Sequence, residues 1–146
     1  PAGMAAALAA ARNGAKVTLL ERYNHLGGLA SGGMVLVLDD MWDSTRNEIS
    51  VRGVCMTMIE RLAAQGLAAY PREHEWGELP ESYRRWARWG TFDFHSHKTP
   101  YPICFAASFD PEGWKRVALE WIDAMGAMVM SSSTSWMSKR PKSSWL

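Results

Sequence analysis

Pro1-Ala2-Gly3-Met4-Ala5-Ala6-Ala7-Leu8-Ala9-Ala10-Ala11-Arg12-Asn13-Gly14-Ala15-Lys16-Val17-Thr18-Leu19-Leu20-Glu21-Arg22, followed shortly by Leu26-Gly27-Gly28, is the stretch that decides the fold. It reads as the later part of a dinucleotide-binding βαβ unit. In the G-x-G-x-x-G pattern the third glycine lets a helix pack close to a strand, and an acidic residue about 20 positions on grips a ribose hydroxyl. Gly3 and Glu21 fit those two roles. The first strand and the first two glycines of such a unit would lie ahead of Pro1, so the expected fold is α/β with its first strand missing.

Outward from this stretch, the alanine-rich residues 3–13 favour a helix of small side chains that can sit close to a sheet. Gly14 is its expected stop. Residues 15–20 form a short, nearly continuous apolar run, the pattern of a parallel strand buried on both faces. Glu21 then falls at the carboxyl end, where open α/β sheets place their ligand. Residues 23–33 are rich in glycine, asparagine and serine and read as loop, with a short strand expected over 34–38. Residues 39–52 are polar and without period. Val54, Met58, Ile59 and Leu62 recur at helical spacing, which predicts a helix over 54–64 closed by Gly66. Between Ala69 and Ser108 the chain is dense in aromatics and prolines, as an insertion or the opening of a second domain would be.

Phe109-Asp110-Pro111-Glu112 reads as a helix start: Asp110 can cap free amides, Pro111 suits the first helical position, and Glu112 opposes the positive dipole end. That helix should run to about Met125, stopped by Gly126, with a further buried strand over 127–130. From Ser131 the sequence turns serine-rich and then basic.

Composition narrows the function. Lysine and arginine number 16 against 15 acidic residues, a formal charge of +1, so no charge excess points to nucleic acid or to an anionic membrane. The longest apolar stretches fall far short of the roughly 20 residues a membrane-spanning helix needs. The 2 cysteines, Cys55 and Cys104, form no C-x-x-C pair, and read as buried free thiols of a cytoplasmic protein. The 8 tryptophans are many for this length. Trp76, Trp86, Trp89 and Trp114 are expected mainly in the core.

These residues resemble FAD-dependent oxidoreductases of the glutathione-reductase-like superfamily. The likeness rests on the opening stretch, on Leu26-Gly27-Gly28-Leu29-Ala30-Ser31-Gly32-Gly33, on Val51-Arg52-Gly53-Val54 and on Phe109-Asp110-Pro111-Glu112. It implies an incomplete Rossmann-like FAD/NAD(P)-binding domain, a parallel sheet with helices and an inserted aromatic segment, and FAD as cofactor. By resemblance, Gly3 lies beneath the pyrophosphate, Glu21 accepts from the ribose hydroxyls, and Arg22 lies near the adenine or ribose. Gly27 and Gly28 bring amides to the phosphates, Ala30 and Ser31 approach the ribityl and ring system, and Val129 touches adenine through its backbone. Residues 1–38 would be the FAD-binding βαβ portion, 39–108 a helix with the insertion or the start of a substrate domain, 109–133 the returning helix and strand, and 134–146 a tail.

The expected function is that of a fragment of an oxidoreductase moving a hydride or electron pair between a small-molecule substrate and a second acceptor. No catalytic residue is nameable. The strand-helix pattern by itself fits NAD as well as FAD, since Glu21 would favour either unphosphorylated ribose, and a non-catalytic interaction fragment with an aromatic patch is the other alternative. His95 and His97 with Asp93 or Cys104 make a weak metal pattern lacking a defined third ligand, so no metal is expected. Arg84, Arg85 and Arg88 read as a solvated helical face rather than a carboxylate clamp.

Overall fold

A computed structural model describes residues 1–131. The expectations for the tail lie outside the described residues.

The opening alanine run forms α1 (Ala2–Arg12) and delivers the chain into β1 (Thr18–Glu21). Between them Gly14 adopts φ +81°, its N–H bonding Ala11 O and the next N–H bonding Ala10 O, a Schellman turn that satisfies carbonyls the helix leaves open. The same paired bonds, with glycine in the same conformation, close α3 (Val54–Ala64) at Gly66 and α5 (Pro111–Ala124) at Gly126. Each turn feeds a strand: β1, then β5 (Ala68–Ala69), then β7 (Met128–Ser131).

β1 and β7 pair in parallel, Thr18 with Met128 through Glu21 with Ser131. A second, antiparallel sheet runs in the order β2 (Val37–Leu38), β6 (Ala107–Phe109), β5. The chain is therefore mixed α/β, with a parallel sheet and helices around one main core, which is compatible with the Rossmann-like arrangement the sequence implies. That core joins Met4 and Leu8 of α1, Met58 and Leu62 of α3, and Trp121 and Ile122 of α5. Each large side chain removed from water in this way contributes roughly 1.5–3 kcal/mol.

Several expectations are corrected. The opening strand is not buried on both faces: Leu20 is 75% exposed, and its register partner Met130 is 43% exposed. Among the described residues β1 pairs only with β7, and α1 and α5 pack on the same core, so the alternate side chains face outward. The late strand is half-buried for the same reason and lies at 128–131. Residues 39–52 are not irregular. They hold an antiparallel hairpin, β3 (Trp42–Asp43) and β4 (Glu48–Ile49), whose turn is made by the Thr45 and Arg46 N–H groups donating to Asp43 Oδ1 at 2.8 and 3.1 Å. The 23–33 loop contains one short helical turn, α2 (Leu29–Gly32). The strand expected over 34–38 is confined to β2, whereas the helix start at Asp110 and Pro111 is as expected, with Phe109 ending a buried strand just before it.

The aromatic middle folds onto a second core cluster around Met41, Ile59, Phe105 and Ala107. Phe105 meets the Tyr70 and Trp76 rings edge-on, at 5.6 and 6.2 Å between centroids. Trp86 and Trp114 are buried as expected, Trp76 is half-buried, and Trp89 is exposed on the short helical turn that follows α4 (Pro80–Trp86).

Candidate functional site

The amino end of α1 carries no acidic residue in its first turn, and the first helical bond is Ala5 N–H to Pro1 O at 3.0 Å. The N–H groups of Ala2, Gly3 and Met4 therefore stand outside the helical ladder and concentrate positive potential. Gly3 is exposed there, and a methyl placed on it would meet only Leu19 Cδ1 of β1, at 3.5 Å. The helix thus crosses β1 two residues before Glu21.

Gly28 arrives at the same place from a different part of the chain. A Cβ on Gly28 would lie 3.0 Å from Pro1 Cδ, so the glycine turn is seated against the start of α1. Its φ of +56° and ψ of −125° form a backbone conformation open essentially to glycine. The Gly28 carbonyl accepts from Gly32 N–H at 2.8 Å, whereas its own N–H takes no hydrogen bond within the described residues. Unspent backbone amides thus occur both at the start of α1 and in the turn that approaches Pro1.

Gly27 is the inner half of the pair. Buried, with φ +117°, it leaves no room for a side chain: a Cβ would collide with Ser31 Oγ and sit 2.7 Å from the Trp114 indole of α5. Ala30 and Ser31 also face inward, 6% and 4% exposed. Ser31 Oγ donates to Leu26 O at 2.6 Å and lies 3.1 Å from His25 Nδ1. These two residues brace the turn from beneath.

Glu21 closes β1, its Oε1 accepting the Tyr23 N–H at 3.0 Å. Arg22 is exposed, with its guanidinium 5.8 Å from the Tyr23 ring centroid. Val129 pairs with Leu19 and so lies two residues short of the strand ends that Glu21 and Ser131 mark. Gly28 meets the start of α1 at Pro1, Gly3 faces Leu19, the register partner of Val129, and Glu21 ends the same strand two residues on. Sequence reasoning missed His25 and Trp114 as parts of this site. A histidine six positions before a serine carries no recognisable signal, and Trp114 reaches Gly27 only through the tertiary fold.

The other polar cluster lies around a cavity of about 100 Å³ between Asp40, Trp42, Phe92, Asp93, His95 and Cys104. His95 Nε2 is 2.9 Å from Asp40 Oδ1, both side chains being exposed. Among the described residues no three histidine, cysteine or acidic side chains are arranged to hold a metal ion. Burial, and then the charges of Asp93, Asp39 and Asp40, push the Cys104 thiol up to about 12, so it stays protonated and poorly nucleophilic. Arg84 and Arg88 are exposed, as a solvated face requires, but Arg85 departs from it by pairing with the buried Glu75 at 3.0 Å.

A glycine turn seated on an exposed helix start, beside a strand that ends in glutamate, defines an α/β nucleotide-binding protein. Its family model, FAD dependent oxidoreductase, matches residues 1–139. The chain belongs to that family, and its cofactor is FAD. No curated protein and no solved structure matches the chain. The residues present fit the cofactor on the geometry of the chain itself: unspent amides for a pyrophosphate, a turn kept free of side chains, and a carboxylate at the strand end. No helix among the described residues is long and apolar enough to cross a membrane.

Proposed function

We propose that this chain holds FAD across the start of α1 and the Leu26–Ser31 turn, and serves an enzyme that oxidises or reduces a small molecule. The observation that carries this reading is the close approach of the Gly28 turn to Pro1, where a Cβ would lie 3.0 Å from the proline ring, with free amides at both the start of α1 and Gly28 available to an anion. When bound, FAD supplies the chemistry, transfer of a hydride or electron pair between the substrate and a second acceptor.

The chain's own residues bind and orient. The exposed amides at Gly3 and Gly28 receive the pyrophosphate, and the dipole of α1 favours its charge. Glu21 keeps one carboxylate oxygen on Tyr23 N–H, a bond that fixes its rotamer, and offers the other to the ribose hydroxyls. Arg22 lies toward the adenosine half. Gly27 takes part by what it lacks, since any side chain there would push the turn off Trp114. Ala30 and Ser31 act from below the turn, and Val129 contributes backbone on the adenine side.

Replacing Glu21 by alanine removes charge-assisted hydrogen bonds worth roughly 1.5–3 kcal/mol, so FAD affinity should fall at least about tenfold. The check is a fluorescence titration of FAD against both proteins. An unchanged dissociation constant would retire Glu21 as the ribose ligand.

A further inference from the structure

The Leu26–Ser31 turn contains one arrangement that its backbone does not explain. Ser31 Oγ stands 2.6 Å from the Leu26 carbonyl and 3.1 Å from His25 Nδ1. A carbonyl only accepts, so the single hydroxyl proton goes to Leu26 O, and toward His25 the oxygen must accept. That fixes the imidazole proton on Nδ1 and leaves Nε2 as the acceptor nitrogen of the neutral ring. The ring itself is held from two further sides. Tyr23 stacks on it at 5.9 Å with an interplanar angle of 12°. Gly32 leaves the space it fills, since a Cβ there would come within 2.8 Å of His25 Cε1.

We infer that His25 is a positioning residue for the cofactor turn, acting through a relay in which His25 Nδ1–H donates to Ser31 Oγ and Ser31 donates to the Leu26 carbonyl. A serine hydroxyl with one partner is free to rotate. With an N–H donor on its lone pair, it is committed to the Leu26 carbonyl. That bond ties the peptide entering Gly27 to the third residue of α2, across the two glycines whose positive φ values give the turn its shape and leave the Gly28 amide unspent. His25 touches no reacting group. It supplies a hydrogen-bond donor at a fixed point, and through it a preformed cradle.

The inference rests on the reading that this turn holds FAD, and the experiment separates the two. The full chain is prepared as wild type, His25→Ala, His25→Asn and Glu21→Ala, and each is titrated with FAD by fluorescence. The histidine-labelled wild type is examined by ¹H–¹⁵N correlation at about pH 8, where an ordinary histidine is neutral. The expected tautomer carries its proton on Nδ1. His25→Ala should weaken FAD about tenfold, and His25→Asn, whose amide nitrogen can stand in for Nδ1, should stay within about threefold of wild type.

A proton on Nε2 in the wild type overturns the relay. So does wild-type affinity in His25→Ala while Glu21→Ala is weakened, or a His25→Asn protein that binds as poorly as His25→Ala. If Glu21→Ala and His25→Ala both match wild type, the cofactor reading falls with the positioning role, and the tautomer alone reports on the relay's geometry.

Discussion

A methyl group added at Gly27 meets the Trp114 indole at 2.7 Å on a backbone with φ +117°, whereas one added at Gly3 meets a single leucine methyl at 3.5 Å. The fold therefore requires glycine at 27 and tolerates alanine at 3. Gly27→Ala should lower stability by about 1–3 kcal/mol through backbone strain and overpacking. Gly3→Ala should change it by less than about 1 kcal/mol. Urea unfolding of the two variants checks the contrast, and equal losses would mean that α1 and β1 lie closer than the structure has them. The place of Glu21 at a strand end and of the glycine pair in a turn was legible in the sequence because both are local features. His25 was not, because its partner Ser31 matters only once the turn has folded back, and Trp114 was not, because it lies on α5, far along the chain.

At the scale of elements, helix ends were the most readable feature. Gly14, Gly66 and Gly126 stop their helices where the sequence predicts, and Asp110 caps α5 by accepting Glu112 N–H at 2.9 Å. A side-chain cap of this kind is worth about 1 kcal/mol, so Asp110→Ala should destabilise the protein by that order in thermal or urea unfolding, with Asp110→Asn close to wild type. An alanine variant as stable as wild type would mean that the α5 amides find another partner. The short strands were not readable. β3 and β4 hold two residues each, too few for alternation to show, and the hairpin is held by the Asp43 turn and the Trp42–Ile49 pair instead. β6 lies at the end of the aromatic segment and carries no strand signal of its own. Its strand character comes from pairing with β2 and β5 on either side.

At the scale of the whole molecule, two buried groups give stability a dependence on pH. Burial alone would raise the Glu75 carboxyl, but the Arg72 N–H, the Trp86 indole, and the Arg85 and His74 charges outweigh it and hold its pKa below the ordinary 4.5. A carboxyl lowered in the folded state stabilises the fold above its unfolded value, and that contribution is lost as pH falls through the folded one. Cys104 works in the opposite sense. Raised from 9.0 to about 12, it contributes stability that is fully present below about 9 and drains away as pH climbs toward 12. Urea unfolding across pH should show both limbs. Glu75→Gln should flatten the acid limb and Cys104→Ala the alkaline one, each relative to the same protein near neutrality. A limb of unchanged slope in its variant would remove that group from the account.

By itself the sequence determined what depends on neighbours along the chain. Helix stops, the strand that ends in Glu21 and the glycine turn follow from residues within a few positions of one another, and the family from several such stretches along the chain. Tertiary structure alone decided which distant segments meet: Leu20 beside Met130 on an open face, Trp114 behind Gly27, and Gly28 against Pro1. Hydrogen-bond chemistry and backbone preference act over one turn of chain and leave a readable pattern. Burial and register depend on how separate elements share one core, and no local stretch of sequence holds that information.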